Sequence, residues 1–154
     1  MIDEMFEVIG QPISVEKVMN KVRRRDCGAI TTFIGTVREW TGEKRTMRLE
    51  YQAYAPMAVK KMAEIAEEVE EKWPGAETAI THRTGTLEIS DIAVVIAVSC
   101  PHRKEAYEAN AYVMERMKEM VPIWKKEYWE DGTEWVGDQL ETKPYPEGKP
   151  ERRT

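Results

Sequence analysis

The chain has 154 residues, 42% of them hydrophobic and 33% charged, with a formal net charge of −5. That balance fits one globular domain with its own core, and it excludes a disordered chain or a surface built to track nucleic-acid phosphates. Cys27 and Cys100, the two cysteines, form no CxxC pair, which counts against a structural zinc site, and both read as buried thiols of a reducing compartment.

The start, Met1-Ile2-Asp3-Glu4, carries acids where a signal peptide carries bases. The longest apolar run, Ile92 to Val98, is far below the roughly 20 residues that span a bilayer. A soluble, cytoplasmic protein is expected, with no membrane or nucleic-acid partner.

Ser14 is placed to cap a first helix whose buried face is Val15, Val18, Met19 and Val22. Gly28 marks the turn out of it, and Ala29 to Val37, rich in β-branched residues, reads as a strand. Glu39 to Thr46 is polar and reads as an exposed loop around Gly42. Met47, Leu49, Tyr51 and Ala53 alternate with polar residues, the period of a half-buried strand. Pro56 opens a second helix with the apolar stripe Met62, Ile65, Ala66, Val69 and Trp73, ended by Pro74-Gly75.

A strand is expected near Thr78 to Arg83, a turn at Thr84-Gly85, and a short extended piece at Leu87. Ile92 to Cys100 is almost wholly apolar, as in a strand covered on both faces. Pro101 begins a third helix that runs to about Val121, where Pro122 stops it. Short strands follow at Ile123 to Lys126 and Glu134 to Val136, around the turn Asp131-Gly132. Residues 1–142 are expected to form one mixed α+β domain, and 143–154 a mobile, Pro-rich, charged tail. No GxGxxG or Walker motif is present, which counts against a nucleotide enzyme.

Three groups of residues have chemistry to offer. Ser99-Cys100-Pro101-His102-Arg103 sets a histidine and an arginine in the first turn of a helix, where unpaired N–H groups favour an anion such as phosphate. Cys100 beside His102 also permits a thiol nucleophile, although nothing else marks such a site. Lys118 lies near the end of the same helix, close in sequence to Pro122-Ile123-Trp124-Lys125-Lys126-Glu127. On an extended segment Lys125 and Lys126 face opposite ways, so one of them faces inward. Arg38 ends the strand Gly35-Thr36-Val37 and opens onto the loop; His82-Arg83 is a weaker candidate. The two histidines lack the acids or cysteines of a metal site, so no metal, flavin or pyridoxal phosphate is expected.

Taken in order, Gly28-Ala29 through Phe33-x-Gly35-x-Val37-Arg38, Leu49-Glu50-Tyr51, His82-Arg83-x-Gly85-x-Leu87, Ser99-x-x-His102-Arg103, Ala106-Tyr107-x-Ala109 and Pro122 to Glu127, then Glu134-Trp135-Val136, resemble the large, catalytic subunits of molybdopterin synthase. The resemblance implies an α/β hammerhead fold with an added antiparallel β subdomain. It implies sulfur transfer from the thiocarboxylated C-terminus of a small ubiquitin-like partner to cyclic pyranopterin monophosphate. Lys118 and Lys125 become the catalytic pair, and Arg38, His102 and Arg103 the substrate-binding set. A homodimer within a heterotetramer is implied as well. His102 and Lys118 stand sixteen residues apart on one expected helix, about 24 Å along its axis, so a composite site fed by both chains of the dimer is expected.

Overall fold

The structure, a computed structural model, describes residues 4–138. The expected tail at 143–154 lies outside them. In chain order the elements are β1 (Phe6–Ile9), α1 (Val15–Lys21), β2 (Ala29–Thr36), β3 (Trp40–Thr41), β4 (Lys44–Ala53), α2 (Ala55–Lys72), β5 (Glu77–Arg83), β6 (Gly85–Leu87), β7 (Ile92–Cys100), α3 (Arg103–Met120), β8 (Ile123–Trp129) and β9 (Glu134–Asp138). Helices and strands are mixed, as an α+β fold requires.

One sheet has the order β1-β5-β7-β2, and a second has the order β3-β4-β8-β9 with β6 also paired to β4. β7 lies inside the first sheet, antiparallel to both β2 and β5. It is also covered on both faces, which is why its sequence is a continuous apolar run. Val94, Ile96 and Val98 meet α2 and α3 through Met62, Ile65, Val69, Val113 and Met117. Val95 and Ala97 meet α1 through Val18 and Val22 on the other face. Each such side chain, fully buried, stabilises the fold by about 1.5–3 kcal/mol.

Local signals hold where they rest on capping and periodicity. The Lys17 N–H donates to Ser14 Oγ at 3.3 Å. Pro56 stands in the first turn of α2, and Met62, Ile65 and Val69 are buried as the stripe requires. α3 starts at Arg103 rather than at Pro101, with His102 as its extended N-cap.

The stretch from Glu39 to Thr46 is not a loop. β3 pairs with the start of β4, Trp40 opposite Arg45 and Thr41 opposite Lys44, around Gly42 at φ +60°. Its polar residues satisfied one another, Arg45 with Glu39 at 2.7 Å and Lys44 with Asp131, so polarity hid the hairpin. The alternation expected over 47–53 also slips. The register shifts between Thr46 and Arg48, so Thr46 and Leu49 are buried while Met47 faces solvent. β1 had no sequence signal of its own; it pairs parallel with β5, Phe6 opposite Ile80.

Candidate functional site

The second sheet is carried to the end of the first by β4 and β8, antiparallel with Tyr51 opposite Lys125. Between the sheets lies a cavity of about 150 Å³ whose walls include Phe33, Gly35, Tyr51, His82, Lys118 and Lys125. Thr36, Ala93, Val94 and Met114 complete its lining. The floor is tight at Gly35, because a Cβ there would come within 2.7 Å of Val94 Cγ1. The pocket therefore draws on β2, β4, β5, β7, α3 and β8, elements far apart in sequence.

β8 settles which of the adjacent lysines faces inward. Lys125 is buried, and Lys126 lies on the opposite face, paired with Glu134 at 3.1 Å and 5.0 Å from the Tyr128 ring centroid. Glu127 shares the buried face of Lys125 and accepts a hydrogen bond from Thr46 Oγ1. Lys118 arrives from the last turn of α3, where a cation also complements the helix dipole.

His82 was a weak candidate in sequence and proves to be a wall of this pocket. Its Nδ1–H donates to the Arg83 carbonyl at 2.9 Å; a carbonyl only accepts, so the proton sits on Nδ1 and Nε2 carries the lone pair. Burial lowers its pKa from 6.5 to about 4, so the ring is neutral at neutral pH. Tyr51 meets it edge-on, centroids 4.9 Å apart. Tyr51 stood in one of the motifs but was read only as a half-buried strand residue, and Met114 carried no signal, because a pocket wall leaves no periodic trace.

The anion set is dispersed. Arg38, just past β2, is exposed and donates from Nε to Thr41 Oγ1 at 3.1 Å. His102 and Arg103 are exposed at the start of α3, the end opposite Lys118. His102 makes no side-chain cap bond there. It borders a larger, more open cavity of about 440 Å³ with Trp73, Cys100 and Glu105. Cys100 is fully buried, and burial, with Cys27 and Glu105 nearby, pushes its thiol up to about 11. It is a core thiol and no nucleophile. Cys27, expected to be buried, is only half-buried. Among the described residues no group of three or more His, Cys, Asp or Glu side chains could hold a metal ion. No helix among them is long and apolar enough to cross a membrane.

Fold and pocket together define an α+β protein that gathers lysines from two elements into one small cavity. The family model described as MoaE protein matches residues 8–120. The molybdopterin synthase catalytic subunit of Bacillus subtilis (strain 168) is 65% identical over 148 residues, covering 96% of this chain and 94% of that one. The crystal structure of molybdopterin synthase from Staphylococcus aureus matches with a TM-score of 0.84 and 56% identity, covering 88% of this chain and 98% of that chain. The complex of subunits 1 and 2 of the molybdopterin-converting factor from Helicobacter pylori 26695 matches at a TM-score of 0.71 with 17% identity, over 94% of this chain and 96% of that chain, a likeness of fold alone. The chain belongs to the MoaE family, that of the molybdopterin synthase catalytic subunits, and its role is in molybdenum cofactor biosynthesis.

Proposed function

We propose that this chain is a sulfurtransferase of the cytoplasm. It takes sulfur from the thiocarboxylated C-terminus of a small ubiquitin-like partner subunit and installs it on cyclic pyranopterin monophosphate, building the dithiolene of molybdopterin. The observation that carries the reading is the convergence of Lys118 and Lys125 on one pocket from separate elements. A thiocarboxylate is already a nucleophile, so the protein has none to supply, and the inert Cys100 is consistent with that. What the reaction needs is cationic and hydrogen-bonding groups that seat the tail, stabilise oxyanions and move protons, which two lysines supply.

Arg38, His102 and Arg103 are the seats for the substrate phosphate. Within one chain His102 lies about 24 Å from Lys118 along α3, so the working site is composite. Lys118 and Lys125 come from one chain of a homodimer, His102 and Arg103 from the other. With a small subunit on each, the assembly is a heterotetramer. Residues 1–142 act as one domain.

The test is to incubate the purified chain with cyclic pyranopterin monophosphate and thiocarboxylated partner, and to read the pterin products by mass. A dithiolene product is expected, and none should form when the partner ends in an ordinary carboxylate. Partner binding without product would leave the chain an adaptor for an anionic tail.

A further inference from the structure

His82 breaks the pattern of its strand. Ile80 and His82 stand on the same face of β5, and their partners on β7 are Ile96 and Val94, both in the core beneath α2 and α3. A polar ring in that row costs free energy unless its nitrogens are used. One of them is: Nδ1–H donates to the Arg83 carbonyl at 2.9 Å. Nε2 has no hydrogen-bond partner among the described residues, yet it is not among the polar atoms sealed from solvent. His82 is only 2% exposed, and it lines the cavity of about 150 Å³ that holds Lys118 and Lys125. The small opening at Nε2 is therefore an opening to that cavity.

The ring is also held still. Its Nδ1 bond fixes the rotation, and Tyr51 meets it edge-on with centroids 4.9 Å apart. The polar lining of the cavity then divides by what each group can give. The lysine ammonium groups only donate, the hydroxyls of Thr36 and Tyr51 do both, and Nε2 of the neutral ring only accepts. The matching ligand has an anionic end for the lysines and an N–H close behind it.

A peptide C-terminus has that pattern, because each backbone N–H behind its charged end needs an acceptor once it leaves water. Size points the same way. Cavities that enclose a drug-sized ring system measure roughly 300–1,000 Å³. This one, at about 150 Å³, suits a chain end better than a fused pterin.

We propose that His82 is a ligand-binding residue of the lysine pocket, its Nε2 accepting a hydrogen bond from a backbone N–H of the bound peptide tail. The inference rests on the proposed function for the owner of that tail, the small partner subunit. A purely structural His82 needs Nδ1 alone; a binding His82 needs Nε2.

Two near-isosteric substitutions separate the nitrogens. Asn at 82 keeps a donor at the Nδ1 position and loses the acceptor, whereas Gln reaches the Nε2 position with an amide oxygen and loses the donor. Binding is measured by calorimetry with the partner ending in an ordinary carboxylate, intact and shortened by its last two residues. His82→Asn should weaken the intact partner about tenfold and His82→Gln less than about threefold, the scale of one buried hydrogen bond. Neither should alter binding of the shortened partner. Asn at wild-type affinity, Gln as weak as Asn, or equal losses with the shortened partner each overturn the inference.

A second measurement needs no substitution at 82. The chain has two histidines, so nitrogen resonance of the wild type, assigned with His102→Ala, reports His82 directly. The Nε2 signal, that of an unprotonated ring nitrogen, should move when the intact partner saturates the protein and stay in place with the shortened one. An unmoved signal overturns the inference even if both variants fail to fold, and a wild type that binds no intact partner removes the inference and the proposed function together. Tail binding through His82 without dithiolene formation from thiocarboxylated partner would sink the sulfurtransferase and leave this contact standing.

Discussion

The two ends of α3 differ in kind. At its C-terminal end Lys118 enters a small cavity of about 150 Å³ beside the buried Lys125, walled by aromatic rings and a neutral histidine. At its N-terminal end His102 and Arg103 stand in the open, His102 beside a cavity of about 440 Å³ whose cysteine is buried and protonated. Enclosure makes electrostatic groups stronger and suits reacting atoms, while exposed cations suit the capture of a charged ligand. On the proposed function one chain carries two half-sites, chemistry at one end and anion seating at the other.

The largest expected effect falls at the enclosed end. Lys118→Ala and Lys125→Ala should each cut sulfur transfer at least about a hundredfold, the scale of losing one preorganised electrostatic contact, with an unchanged circular dichroism spectrum. Lys126→Ala, on the solvent face with Glu134, should change it less than about threefold. Equal losses from Lys125 and Lys126 in a single-turnover assay would dissolve the distinction between the faces of β8.

Mixing joins the two ends. Lys118→Ala and His102→Ala chains are each expected to be inactive alone. In a purified mixed dimer one site carries both defects and the other neither, so activity should return to about half of wild type. Verified mixed dimers without activity would place both half-sites within one chain.

His82 sharpens the contrast through pH. Its folded pKa of about 4 lies below the unfolded value of 6.5, so the unfolded chain binds the extra proton first. Its contribution is complete above pH 6.5 and is lost as pH falls from 6.5 through 4, by about 3 kcal/mol. Urea midpoints at pH 7 and pH 4.5 should therefore fall further for wild type than for His82→Gln. Parallel slopes for the two proteins would mean that the ring is not held neutral.

The smallest effect is expected at the open end. Cys100→Ala should cost roughly 1 kcal/mol of stability and leave turnover within about twofold of wild type. A large loss of turnover with little change in melting would reinstate a thiol role there.

Much of this was legible in the chain itself. Caps and apolar periods placed α1, α2, α3 and the doubly covered β7, because those signals are local and act within a turn or two. The alternation of an extended segment foretold that Lys125 and Lys126 part ways, which β8 bears out. Polar pairing across the β3–β4 hairpin imitated a loop, and the shift between Thr46 and Arg48 turned Met47 outward, since cross-strand partners and bulges leave no periodic trace. The amino-acid sequence by itself determined which side chains were available for cationic chemistry and which elements would carry them. Only the tertiary structure decided that Lys118 and Lys125 share a wall with Tyr51 and His82, because packing of β4 and β8 against the end of β2 and α3 joins positions that no sequence spacing relates, whereas the distance of His102 from Lys118 already followed from their spacing on one helix.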